Sequence, residues 1–472
     1  AYCDDVHIVG KPSRVAEAYQ RWAHLYSRDL QGELKSDKSC VFAPSQRVSK
    51  KYLVKLGFPP DMKFTHDGTR VLGAPIGNDS FKAKFAKTKV DSILDDLNAL
   101  ALMPSSQSQH LITTKSIAHR INHLLRNIPG GELDQFGALA LRYDDALLQV
   151  PQRICHQVAL GPLNRLLCEL PLSLGGLGYR TWSFTADVAF LAAYTHTSHQ
   201  FPTLFPQYAS QYPPAQTVAS IPFPVPRQAH FAARAYARLR DISPATAESI
   251  ISPPPSLKHL QHVLSTKASE AHALRATALC HSLDAPDLPR HSAMYHSNCG
   301  DAHTFATIPT DPDTSFSNPE FAIITARRLL LQITQTSSEK RRCQKCHEST
   351  DVKRKLNHKT LSVFEVDSFG DHQIRCGTKF GGHRARNWHD AIARMLHRIG
   401  KTANIPTFYE PNGMMIHSAQ RPDVVFFPDS LNGHAIIVDC RTNDPTLAPD
   451  CQKCAKTPGH ANDKGTSAKN SK

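Results

Sequence analysis

The chain has no run of about 18 apolar residues, the length a bilayer-spanning helix needs. Its first residues also lack the basic, apolar and small-residue order of a secretory leader. Neither a membrane partner nor a cleaved leader is expected. Acids are scarce: 41 Asp and Glu stand against 55 Lys and Arg, giving a net charge of +14 and a pI near 9.2. The excess makes a polyanion the natural partner, nucleic acid or an anionic surface. Cysteine, at 12 in 472 residues, is too thin for a disulfide framework. Cys155, Cys168 and Cys280 stand alone while others pair at metal spacing, the usage of a reducing, intracellular compartment. The glycine-rich stretch Leu170–Gly178 lacks the Gly-Lys-Ser/Thr ending of a phosphate loop and reads as a packing turn. No internal repeat is found. The length exceeds one hydrophobic core, so about two to four domains are expected.

Two short apolar runs near the C-terminus, Val424–Phe427 and Ile436–Val438, read as buried strands. Pro422 fits only at the start of the first, because it offers no N–H to a ladder. Asp429, Asn432 and Gly433 between the runs are turn formers. A hairpin so formed brings Asp423 and Asp439 together, and paired acids on adjacent strands suit Mg²⁺ in phosphodiester chemistry. On the hairpin alone, two solvent-facing acids at strand ends is the simpler reading. Upstream, Cys343-x2-Cys346 and His372-x3-Cys376 offer four ligands in two clamps, the donor set of tetrahedral Zn²⁺. His347 and His358 compete for the same role, and Cys451-x2-Cys454 with His460 is a weaker candidate. Between the zinc clamps and the strands, Gly382 to Ile399 reads as a helix. Ile392, Met395, Leu396 and Ile399 form its apolar face, and Arg384, Arg386 and His389 lie at its basic start.

The rest of the chain reads mainly as helix. Val15, Ala18, Tyr19, Trp22, Leu25 and Tyr26 recur at helical spacing, as do Phe81, Phe85, Val90, Ile93, Leu94, Leu97 and Leu100. Lys82, Lys84, Lys87 and Lys89 surround the second of these. Another helix is predicted from about Thr113 to Pro129, and a further one over Ser183–Thr195. Proline density over residues 200–260 predicts a linker carrying short helices such as His230–Leu239, and residues 284–320 read as loop-rich before a helix over Pro319–Thr334. The chain opens without Met inside an apolar motif and closes in a Lys/Asn/Ser stretch, so truncation at both ends is expected.

Three motifs at the N-terminal end, Tyr2-Cys-Asp4-Asp5, Leu34-x3-Lys38 with Cys40 and Phe42, and Leu72-Gly73-Ala-Pro75-Ile-Gly77, resemble in order and spacing the last part of a reverse transcriptase palm. The C-terminal order is Cys-x2-Cys, Gly-Asp-His-x3-Cys, His389-Asp390, Glu410-Pro411, Arg421-Pro422-Asp423 and Val438-Asp439. It resembles the restriction-enzyme-like endonuclease of site-specific non-LTR retrotransposons, which lies C-terminal to such a polymerase. The resemblance implies an α+β multidomain chain. Its parts are a palm remnant over 1–80, a helical thumb-like region over 81–200, a Pro-rich helical linker over 201–335, a zinc knuckle over 336–380, and a C-terminally truncated restriction-endonuclease-like α/β domain over 381–472. It implies metal-binding roles for Asp4 and Asp5, a place near the incoming nucleotide for Lys38, and a nuclease site of Asp423, Asp439 and the additional acid Glu410. Mg²⁺ would serve both catalytic sites and Zn²⁺ the knuckle. His389 and Asp390 would fix their helix or approach the DNA. The earlier palm aspartate is not in this sequence, so a complete polymerase site is not expected from it. Arg441 stands where a restriction-type site carries lysine; arginine stabilises charge but cannot act as a base. The lysine is then expected from a following helix, with Lys469 or Lys472 the candidate. The implied partners are target DNA and the element's RNA in the nucleus. The alternative is a non-catalytic, zinc-dependent nucleic-acid-binding protein derived from such an element.

Overall fold

The computed structural model describes residues 6–129, 133–157, 159–220, 227–251, 259–282, 288–299, 303–306, 315–333, 369, 393–411, 423–428 and 435–438. These form an α+β fold in which long helices dominate and the sheets are small. In chain order the first elements are α1 (Pro12–Leu30), β1 (Cys40–Phe42), α2 (Lys50–Lys55), β2 (Lys63–Thr65), β3 (Gly68–Val71) and β4 (Ala74–Gly77). Helices follow: α3 (Asp79–Leu100), α4 (Ser106–Lys115), α5 (Asn122–Asn127), α6 (Leu133–Ile154), α7 (Pro162–Glu169), α8 (Trp182–Leu204), α9 (Arg227–Ile242) and α10 (Pro244–Ile251). Then come α11 (Leu260–His281), α12 (Leu288–Asn298), α13 (His303–Ala306), α14 (Asn318–Arg328) and α15 (393–402). The last elements are β5 (Thr407–Tyr409), β6 (Val424–Phe426) and β7 (Ile436–Val438). Among the described residues no helix is long and apolar enough to cross a membrane.

Two compact units interleave along the chain: Ala1–Asp96, His119–Asp144 and Trp182–Ser265 make one, and Leu97–Ala118, Asp145–Thr181 and Thr266–Lys472 the other. In the first, α1 starts with Pro12 at its first turn, where a missing N–H costs nothing. Its buried Ala16 joins Leu53, Phe58 and Met62 in a small core, against which Tyr19, Val41 and Phe64 pack. Strands β1 and β2 pair in parallel, and β3 and β4 form a hairpin in the register Val71↔Ala74. Leu72 and Gly73 make the turn with φ of 48° and 81°. Positive φ at both central residues matches the twist that joins two antiparallel strands tightly. His123 of α5 bonds through Nε2 to the Leu72 carbonyl at 3.1 Å, tying that turn to the helix.

The apolar spacing of α3 is matched by its burial. Ala86, Val90, Ile93, Leu97 and Leu100 are all buried, stepping by four and three residues along one face. Each large member removed from water contributes about 1.5–3 kcal/mol as an upper figure. The helix predicted from about Thr113 is instead broken into α4, a single 3-10 turn over Ile117–His119, and α5. The Thr113 and Thr114 hydroxyls donate to the carbonyls of Gln109 (2.7 Å) and His110 (2.9 Å). Such back-bonding competes with the helix ladder. Ser116 then leaves helical geometry at φ −125° and ψ −67°. The apolar rhythm runs on through the break, since Ile117, Ile121, Leu124, Leu125 and Ile128 are all buried.

Helix α8 runs past the expected Thr195 and carries Pro202 in its last turns. Its start is held by Asp144, which accepts from the Trp182 N–H (2.5 Å) and the Ser183 N–H (3.2 Å). A carboxylate at a helix N-terminus satisfies free amides and meets the positive end of the helix dipole. The stretch expected as a linker contains α9, whose Ala229, Phe231, Ala232, Ala235 and Leu239 are buried. Arg238 of α9 forms a two-pronged pair with Asp187 of α8, both bonds 2.8 Å.

In the second unit, the glycine-rich turn spends its amides internally. Gly176, Leu177, Gly178 and Tyr179 donate to the carbonyls of Pro171, Leu167, Leu170 and Cys168. Arg328, at the end of α14, donates to the Gly176 (2.7 Å) and Leu172 (2.6 Å) carbonyls and lies over the Phe305 ring. Burial draws its pKa down to about 10. The turn is therefore a packing element. Beside it, His110 is buried among Tyr179, Phe305 and Phe321, with Nδ1 3.1 Å from the Tyr179 hydroxyl. Burial first, and the cations of Arg328 and Lys115 second, push its pKa down to about 3.

Candidate metal centre at the ends of three strands

The sheet β5-β6-β7 is antiparallel throughout, with Tyr409↔Val424 and Val424↔Val438 in register. Val424 and Val425 are wholly buried, which explains why a run of consecutive apolar residues forms the central strand. Helix α15 comes close to this sheet at Gly400. Ala393 is fully buried, and a Cβ on Gly400 would stand 2.2 Å from Thr407 Oγ1 and 2.8 Å from the Phe426 ring. Only glycine allows that approach. The expected apolar face of this helix is corrected accordingly. Met395 and Ile399 are 43% and 47% exposed, because closeness to the strands selects small side chains rather than large apolar ones.

The strand ladder continues into the acids. The Glu410 N–H donates to the Asp423 carbonyl (2.8 Å), and the Asp423 N–H donates to the Val438 carbonyl (3.1 Å). Glu410 and Asp423 are thus neighbours across adjacent strands, and Val438 immediately precedes Asp439 in sequence. Asp423 is 7% exposed, a carboxylate largely removed from water. Such burial is costly unless a cation or donors compensate. Glu410 has φ of 43° and precedes Pro411. Non-glycine residues avoid positive φ, and residues before proline prefer extended backbone, so this conformation costs on the order of 1–3 kcal/mol. Strain of that kind concentrates where a side chain must be aimed.

The remaining expected site residues divide simply. Lys38 ends a one-turn 3-10 segment (Ser36–Lys38) and is exposed, a solvated cation with its N–H bonded to the Lys35 carbonyl. Asp4, Asp5, Asp439, Lys469, Lys472, Arg384, Arg386, His389, Cys343, Cys346, His372 and Cys376 lie outside the described residues. Among the described residues no three His, Cys, Asp or Glu side chains converge on one point. The structure therefore brings together Glu410 and Asp423 of the expected set.

Two residues near them were not anticipated. Tyr409 precedes Glu410, and its ring centroid lies 6.0 Å from that of His397 on α15. Burial, with Lys401 second, lowers the His397 pKa. Their sequence signal was slight: Ala393, His397 and Gly400 share one helix face at i, i+4 and i+7, but only a known sheet partner makes that face meaningful. Compared with known proteins, the chain matches no family model and no curated protein.

Proposed function

We propose that this chain belongs to a retrotransposon-type RNA-directed DNA polymerase carrying a restriction-like endonuclease, and that Glu410, Asp423 and Asp439 form the Mg²⁺ site that nicks target DNA. One observation carries the reading: the backbone bonds from Glu410 to Asp423 and from Asp423 to Val438 align the acid-bearing strand ends side by side. Two carboxylates on register neighbours, one of them buried, are a fitting donor set for a hard cation that takes oxygen ligands. Asp439 supplies the third. When bound, Mg²⁺ supplies an activated water and stabilisation of the leaving oxygen. The chain's own part is to hold Glu410 and Asp423 on adjacent strands, to keep Asp423 away from bulk water, and to offer cations to the scissile phosphate. Arg441 and Lys469 are assigned to that last task. The zinc knuckle formed by Cys343, Cys346, His372 and Cys376 and the basic residues Arg384, Arg386 and His389 would grip DNA and the element's RNA before the nuclease.

The test is Mg²⁺-dependent nicking of supercoiled DNA by the full chain and by Asp423→Ala. Loss of nicking in the variant is expected, with DNA affinity retained. Equal cleavage by both proteins removes the proposed site, and salt-sensitive DNA binding without any nicking favours a non-catalytic nucleic-acid-binding protein.

A further inference from the structure

We infer that His397 is a positioning residue for Glu410, acting through the Tyr409 ring to hold the acid in its strained backbone conformation; this rests on the reading of Glu410 and Asp423 as cation ligands. The φ of 43° at Glu410, directly before Pro411, is a conformation that the local chain opposes twice. The bond from its N–H to the Asp423 carbonyl holds it on one side. The residue before it, Tyr409, meets His397 with centroids 6.0 Å apart and planes inclined by 53°. The helix carrying His397 is placed against the strands at Gly400, whose position leaves no room for a Cβ beside Thr407 and Phe426.

The imidazole is an unusual choice for that seam. Its Nδ1 is buried and has no hydrogen-bond partner among the described residues. A neutral ring with the proton on Nε2 buries a lone pair there instead of an unpaired N–H, yet a buried unpaired polar atom still costs about 1–3 kcal/mol. The tilted ring contact with Tyr409 is the feature with a use. Groups that orient a ligand without touching the ion commonly affect metal affinity by about 10–100-fold.

Mn²⁺ binding to the full chain without DNA, followed by the EPR signal of free ion, reads this role apart from catalysis. His397→Ala should weaken Mn²⁺ binding by at least about ten-fold. His397→Phe, which keeps a flat ring against Tyr409, should restore binding close to the unsubstituted protein. If His397→Ala binds as well as the unsubstituted protein while Asp423→Ala has lost the ion, the inference is overturned and the cation site stands. If His397→Phe falls as far as His397→Ala, the ring contact is not the route and the inference is overturned. If Asp423→Ala binds Mn²⁺ undiminished, the cation site itself fails and His397 has no ligand to position.

Discussion

Replacing Gly400 by alanine sets two calculable effects against each other. On an exposed helix the change stabilises by about 1 kcal/mol, because glycine is the more costly residue there. At this position the new Cβ would lie 2.2 Å from Thr407 Oγ1 and 2.8 Å from the Phe426 ring, well inside contact distance. Thr407 has limited room to turn away, since its hydroxyl donates to the Ile405 carbonyl at 2.6 Å. Overpacking of this kind costs about 1–3 kcal/mol. The net expectation is destabilisation of the α15–sheet contact by about 1 kcal/mol. Native-state hydrogen exchange by mass spectrometry reads it locally, at the peptide containing the Glu410 amide, which donates to the Asp423 carbonyl. Exchange there should quicken by about five-fold, the factor that 1 kcal/mol represents. Adding Thr407→Ala should recover part of the loss, so that the double variant is less affected than the sum of the two singles. Slower exchange in Gly400→Ala would refute the reasoning, because it would mean that the helix face is open rather than seated.

Two further outcomes concern the scaffold. The folded-state pKa of His110 is about 3, against an ordinary histidine value of 6.5. The folded form therefore prefers the neutral ring, and its contribution is complete above pH 6.5 and declines as pH falls towards 3. Urea unfolding between pH 6.5 and 5 should show at most about 2 kcal/mol of loss from this group, at about 1.4 kcal/mol per pH unit. His110→Gln should flatten that slope, and an unchanged slope would acquit the residue. Asp144→Ala removes the acceptor of the Trp182 and Ser183 amides at the start of α8. A loss of about 3 kcal/mol is expected from the missing cap and charged bonds, with Asp144→Asn intermediate; a loss below about 0.5 kcal/mol would remove Asp144 as the anchor.

The elements best read from sequence are those where one period dominates. Helices α1 and α3 follow from apolar spacing, and the β6-β7 hairpin from two β-branched and aromatic runs separated by turn formers. The break at Ser116 was hidden because buried apolar positions continue through it, so periodicity reports one helix where the threonine hydroxyls and Ser116 make two. Density of proline over 200–260 suggested spacing rather than packing. Yet α9 between those prolines has a buried face of mostly alanine, a pattern with little hydrophobic contrast. At the candidate site the acids were visible as acids, but their alignment depends on strand register. The face of α15 was misjudged for a related reason: a helix that comes very close to a sheet is marked by what its side chains lack.

The interleaving of the two units bears on how the chain can be made and divided. Arg328 closes on carbonyls of Gly176 and Leu172, partners more than 150 positions earlier in the sequence. The second unit therefore cannot complete its packing until α14 has emerged from the ribosome, whereas every segment of the first is already present by Ser265. During that interval Asn164 of α7 waits without the Leu329 carbonyl to which its amide finally donates at 2.7 Å. It follows that a stop codon between His119 and Ser265 leaves both units incomplete, whereas one just after Ser265 spares every segment of the first and still deprives the second of its last.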